Sequence, residues 1–147
     1  MSMMQRSKGK RGESELAGLI RDLTGWDAQR RVRQHDGDSD VVGVPGWSIE
    51  VKRHKSAGRG QIAAWWRQTE EQARVVATSQ ENGSEGRLGA SAGIPVLFYR
   101  VDRAEWRAVW PLAVTLTAQD AVMWRDYEWT VEGTVAAWAA VAREVVR

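Results

Sequence analysis

A glutamate and a lysine stand two residues apart in the segment GWSIEVKRHK, Gly46 to Lys55, and Asp40 precedes them in the chain. In a strand the side-chain period is two, so Glu50 and Lys52 share one face while Ile49 and Val51 share the other. Such a face is either solvated or half of an active site. Asp40 opens the short apolar run VVGV, which a Pro45-Gly46 turn separates from the strand WSIEVK. If the two runs pair antiparallel as a hairpin, Asp40 approaches the end of the strand that carries Glu50. Two carboxylates beside an ammonium then form a site for a hard divalent cation, because magnesium takes oxygen ligands, usually one or two carboxylates with waters and phosphate oxygens. Lys52 would sit where it can orient or polarise a water and offset charge on a phosphorane-like transition state. Each residue alone has an ordinary reading. An E-x-K pair is a solvated strand face, Asp40 a turn residue that caps its own backbone, and Glu13 a first-turn acid favoured by the helix dipole. The combination, in this order and beside a basic flank, is what points to chemistry.

The elements that must hold these residues follow from periodicity. Met1 to Lys10 reads as a flexible basic arm ahead of one domain spanning 11–147. Leu16, Leu19, Ile20 and Leu23 recur at helical spacing, and Gly25 follows them, so a helix is expected from about Gly12 to Leu23. WDAQRRVRQ alternates with arginines on both faces and reads as a first strand. After HDGDSD come the two strands of the hairpin. A long helix is expected over Gln61–Thr78, with Ile62, Trp66, Thr69, Ala73 and Val76 toward the core and Gln61, Trp65, Gln68 and Gln72 toward a wetter surface. SQENGSEGRLGASAG, Ser79 to Gly93, reads as a flexible loop. IPVLFYRV and EWRAVWPL read as paired strands turning at Asp102-Arg103. A final strand at YEWTV and a helix over Val135–Val146, capped by Thr134, close the chain. This order implies an α/β fold with a central mixed β-sheet flanked by helices, since a helix between the third and fourth strands permits a crossover.

Composition narrows the function. A chain of 147 residues, 43% hydrophobic and 27% charged, fits one globular domain that needs no disulfide or metal staple. It has no cysteine, which removes disulfides, thiolate nucleophiles and Cys-based zinc sites and fits a reducing cytoplasm. No apolar run approaches the roughly 20 residues that cross a bilayer, so no membrane role is expected. Residues 1–60 hold 12 Lys and Arg against 8 Asp and Glu, leaving 9 against 11 in the remainder, and all four lysines fall at or before Lys55. Such a flank suits a polyanion, although a solvated basic tail would look the same.

Other motifs fail on their details. DGDSD opens like a calcium loop, but the sixth position is Val41 instead of glycine and the twelfth is Trp47 instead of glutamate. His35 and His54 have no ligand spacing. GRLGASAG lacks a P-loop lysine, so no nucleotide cofactor is expected. Of nine tryptophans most fall on core stripes, Trp66 and Trp138 among them. Trp65 beside Gln68 is the candidate for stacking on an unpaired base.

Ser39-Asp40, nine residues, then Glu50-Val51-Lys52 resembles the PD-(D/E)xK nuclease signature. KGKRGESEL, Lys8 to Leu16, is similar to the K-G-x-x-x-E-x-E-L opening of archaeal-type Holliday-junction resolvases. The resemblance covers residues 8–52, with Ser39 where the superfamily often has proline. It implies a restriction-endonuclease-like αβββαβ core, with Asp40, Glu50 and the Val51 carbonyl as metal ligands, Lys52 as the catalytic lysine and Glu13 as a further acidic site residue. Gln68 or Gln61 would approach the site from the following helix. The implied activity is Mg²⁺-dependent hydrolysis of DNA phosphodiesters, with Mn²⁺ as a substitute, on branched DNA and by a homodimer. Lys8, Lys10, Arg11, Arg30, Arg31, Arg33, Arg53 and Lys55 are the expected phosphate contacts. A nicking nuclease of the same fold and a non-catalytic DNA-binding module are the alternatives.

Overall fold

The computed structural model describes residues 3–32, 40–81, 93–115 and 125–145. The first helix, α1 (Met3–Thr24), begins nine residues before the expected Gly12. Met, Gln, Arg and Lys are good helix formers, so the stretch read as an arm continues the helix. Its buried stripe is Leu16, Ala17 and Ile20. At its end Gly25 takes φ +78°, its N–H bonds the Arg21 carbonyl at 2.8 Å, and the Thr24 hydroxyl bonds the Ile20 carbonyl at 2.7 Å.

Of the strand expected over Trp26–Gln34, the described residues 26–32 form only β1 (Gln29–Arg30), which pairs antiparallel with β2 (Val41–Val42). Arginines on both faces leave little that a sheet could bury there. The main sheet is built instead from β3 (Trp47–His54), β4 (Ile94–Val101), β5 (Arg107–Pro111) and β6 (Thr130–Thr134), in the order β3-β4-β5-β6. β3 and β4 are parallel, joined across α2 (Arg59–Glu81), and the other pairs are antiparallel. A short helix α3 (Leu112–Thr115) follows β5. Tyr127–Trp129, expected as strand, is one 3-10 turn, closed by the Trp129 N–H on the Asp126 carbonyl at 2.9 Å. The last helix, α4 (Val135–Val145), starts as expected, with the Thr134 hydroxyl accepting from the Ala137 N–H at 3.0 Å.

Helices cover both faces of the sheet. α1 and α4 enclose one core with Trp47, Ile49, Val96, Phe98, Ala108 and Trp110. α2 encloses the other, where Ile62, Trp65 and Trp66 meet Leu97, Tyr99 and Val109. The expected mixed sheet with flanking helices is therefore the architecture, and no described helix is long and apolar enough to cross a membrane. The side chain of Val76 and the 82–92 part of the expected loop lie outside what the structure describes.

Trp138 centres the larger core. It is fully buried, and its ring meets Trp47 edge-on at 5.5 Å and Phe98 at 4.9 Å. Its indole N–H is buried without a partner among the described residues. Trp138→Ala should cost about 3–5 kcal/mol in urea unfolding. Trp138→Phe should cost below about 1.5 kcal/mol, because it keeps the ring packing and removes the orphaned donor. Equal losses in the two variants would show that the ring contacts do not carry the stability.

Candidate active site

The turn between β2 and β3 positions the first carboxylate. Pro45 and Gly46, the latter at φ +79°, occupy the centre of a tight turn in which the Trp47 N–H faces the Val44 carbonyl at 3.5 Å. Gly43 at φ +86° lies so close to the chain before β1 that a Cβ there would stand 2.1 Å from the Asp27 carbonyl oxygen. No side chain fits that position. The chain thus returns antiparallel to β3, and the Asp40 N–H bonds the Ile49 carbonyl at 2.9 Å. The hairpin is shorter than the sequence suggests, because β2 forms its ladder with β1 and reaches β3 only through this end.

The same geometry brings the site residues together. Asp40 Oδ2 accepts the Val51 N–H at 2.8 Å, which fixes its carboxylate beside the strand that carries Glu50 and Lys52. Lys52 Nζ lies 3.3 Å from Glu50 Oε1, with both side chains mostly buried. Burial pushes Asp40 up to about 7, helped by the nearby charges of Glu50 and Glu13 and opposed by the Val51 N–H and Lys52. Burial likewise raises Glu50, against the pull of Lys52. Glu13, half-buried on α1, is thus close enough for its charge to act on Asp40. Among the described residues no three His, Asp or Glu side chains converge closely enough to hold an ion. Asp40 and Glu50 remain as a pair of oxygen donors, the number of carboxylates that magnesium commonly takes.

The basic residues divide. Lys10 and Arg11 are exposed on α1, Lys55 is exposed beyond β3, and Arg30 and Arg31 are half-buried at β1, where the Arg31 N–H bonds the Asp40 carbonyl at 3.1 Å. Arg53 belongs to the opposite face of β3 from Lys52. Its side chain packs against Gly12 of α1, with Nε buried and unpartnered. The side chain of Lys8 lies outside the described residues, as do Arg33, His35 and Ser39. Gln61 and Gln68 are exposed on α2. Trp65 corrects an expectation: it is 4% exposed, wedged between His54 at 4.7 Å and Tyr99 at 6.0 Å, and has no face open to a base. Of the stripe that reads as wet on a helical wheel, Trp65 alone is buried, against His54 of β3 and Tyr99 of β4.

Sequence reading also missed a polar group across the sheet. The Tyr99 hydroxyl donates to Glu132 Oε1 at 2.7 Å, and Arg107 Nε lies 3.4 Å from Glu132 Oε2. These residues are on three strands, and no local spacing links them.

A family model described as "Phage putative PDDEXK endonuclease" matches residues 4–137. No curated protein and no solved structure matches the chain.

The Asp40 shift has a thermodynamic sign. Below pH 4 the carboxyl is protonated in folded and unfolded chains and costs nothing. Between about pH 4 and pH 7 the unfolded chain ionises first, so the folded state loses stability as pH rises. Asp40→Asn keeps an acceptor for the Val51 N–H and removes the charge. It should stabilise the metal-free protein by on the order of 2 kcal/mol at pH 8 and by almost nothing at pH 4. A gain that is the same at both pH values in chemical unfolding would refute an electrostatic origin.

Proposed function

We propose that this chain, which belongs to the phage PDDEXK endonuclease family, is a metal-dependent DNA endonuclease whose site is Asp40, Glu50 and Lys52, with the Val51 carbonyl as a further ligand and Glu13 alongside. The observation that carries the reading is the Asp40 carboxylate bonded to the Val51 N–H, next to the Glu50–Lys52 pair. The donor set suits Mg²⁺, with Mn²⁺ as a substitute. Two carboxylates are raised by burial with one ammonium close to Glu50, an excess of negative charge that a hard dication offsets.

When bound, the cation supplies Lewis-acid polarisation of the phosphate and of the attacking water. The residues of the chain do the rest. Asp40, tied to the β3 backbone, and Glu50 would be the residues to hold the cation. Lys52, paired with Glu50 at 3.3 Å, would present its ammonium to the non-bridging phosphate oxygens, where negative charge develops. The water oxygen bonds to phosphorus and gives up a proton to bulk solvent, a P–O ester bond breaks, and the leaving oxygen takes a proton from solvent water. Lys10, Arg11, Arg30, Arg31 and Lys55 contact flanking phosphates and set position without reading sequence.

Within this reading the preferred substrate is a four-way DNA junction, cut by a homodimer. The KGKRGESEL opening supports it, because it sets Glu13 where its charge reaches Asp40, and an isologous dimer would offer two symmetric sites to one junction. A labelled junction and a matched duplex, incubated with Mg²⁺, Mn²⁺ or EDTA, test both levels. Paired junction cuts that require metal should fall by at least about 10³-fold in Asp40→Ala, Glu50→Ala and Lys52→Ala. The two carboxylate variants should also lose the rise in melting temperature that Mg²⁺ gives the parent chain. Equal cutting of duplex would keep the nuclease and remove the junction preference, whereas junction binding without a cut in any metal would favour a binding module.

A further inference from the structure

On the same sheet face as Glu50 and Lys52 lies a pocket of about 700 Å³ that the catalytic reading does not use. Register places Tyr99 of β4 beside Lys52 of β3, so the pocket floor begins one strand from the catalytic lysine. Its far wall, Glu132 on β6, is three strand spacings of about 4.8 Å from β3. Trp65 and α2 stand over the strands between them.

The lining combines three kinds of group. Ile62 and Tyr99 form an apolar floor, and the half-exposed ring of Tyr127 forms an aromatic wall. Glu128 and Glu132 supply carboxylates, and Arg59, at the start of α2, supplies an exposed cation. Glu132 is held in place from both sides. Tyr99 donates to one of its oxygens and Arg107 faces the other, which leaves each oxygen a further lone pair. Burial and Glu132 itself keep the Tyr99 hydroxyl protonated, so it stays a donor and does not become a second anion.

We propose that this pocket receives one unpaired nucleobase of the DNA substrate, stacked on Tyr127, with its exocyclic amino group donating to Glu132 and its phosphate facing Arg59. The inference rests on the nuclease reading. Every base has a face that stacks on an aromatic ring. Cytosine, adenine and guanine carry an amino donor for a carboxylate, whereas thymine offers one imide N–H between two carbonyl oxygens that the carboxylates repel. The pocket therefore selects amino-bearing bases, and a strand unstacked near the cut supplies one. An arginine side chain from a partner protein would match the carboxylates and the aromatic wall but would be repelled by Arg59, which favours the nucleotide.

The test titrates dCMP, dAMP, dGMP and dTMP into the metal-free full chain, followed by amide chemical shifts. Shifts should appear at Tyr127, Thr130 and Glu132, with dTMP at least about tenfold weaker than the other three. Tyr127→Ala should weaken the amino-bearing nucleotides by about tenfold or more. Glu132→Gln, whose amide can still accept from Tyr99, should narrow the gap between dTMP and dCMP. Unchanged thermal unfolding in each variant shows that the fold is intact. No shift at the pocket, equal binding of all four nucleotides, or preferential binding of argininamide would each overturn the proposal. DNA cleavage by the same preparation is scored separately. Cleavage without nucleotide binding sinks the pocket and spares the nuclease, and selective binding without cleavage does the reverse.

Discussion

The bond from the Val51 N–H to the Asp40 carboxylate joins two parts of the chain that the sheet itself does not join. β2 has only two residues and pairs with β1, so backbone pairing alone would leave Asp40 at the end of a weak ladder. One charge-assisted bond of this kind is worth about 1.5–3 kcal/mol. That is enough to hold a short segment and too little to hold a long mobile one. The rest of the local design shortens what must be held: the Pro45-Gly46 turn, the Gly43 backbone pressed onto Asp27, and the Asp40 N–H on Ile49 leave the carboxylate few places to go. Asp40 then meets Glu50 and Lys52 because the pleat has already put those two on one face.

What keeps that face rigid is the layer beneath and beside it. Ile49 and Trp47 anchor β3 into the core closed by α1 and α4, while β4 lies parallel to it along its full length. A strand held on its other face by large buried side chains and on one edge by a complete ladder cannot tilt to relieve repulsion between carboxylates. Burial in this fixed setting raises both Asp40 and Glu50, and for Asp40 the charges of Glu50 and Glu13 add to it.

How much was legible depended on whether a signal was local. Leu16 and Ile20 repeat within α1, Ile62 and Trp66 within α2, and Glu50 and Lys52 within one strand, so periodicity alone assigned their faces. Asp40 was legible as a turn residue, and its approach to Glu50 followed from a hairpin joined by a Pro-Gly turn. Trp65 was misread because its helical stripe is polar, although β3 and β4 cover it through His54 and Tyr99. The start of α1 was misread because a basic composition looks the same in an arm and in a helix. The Tyr99–Glu132–Arg107 group was invisible, since its members are brought together only by strand register. Arg53 shows the limit from the other side. The sequence groups it with its neighbours as a phosphate contact, and the period of two turns its stem away from Lys52 and onto Gly12.

Arg53 also bears on how the first helix serves the site. A glycine at position 12 lets the Arg53 stem lie against the α1 backbone, since a Cβ there would already touch Arg53 Cδ at 3.4 Å. The contact falls one residue from Glu13 on the helix and one residue from Lys52 on the strand. A single packed arginine thus couples the position of α1 to that of β3, and with it the separation of Glu13 from Asp40. Long cationic side chains commonly pack through their apolar stems in this way. Nearby, Glu15 accepts from Arg100 and from the Trp106 indole N–H at 3.0 Å, tying the next turn of α1 to β4 and to the chain ahead of β5. The helix is fixed against the sheet at two successive points on either side of the acidic residue it presents. Together with the buried stripe of Leu16, Ala17 and Ile20, these two contacts hold α1 where the Glu13 charge acts on Asp40.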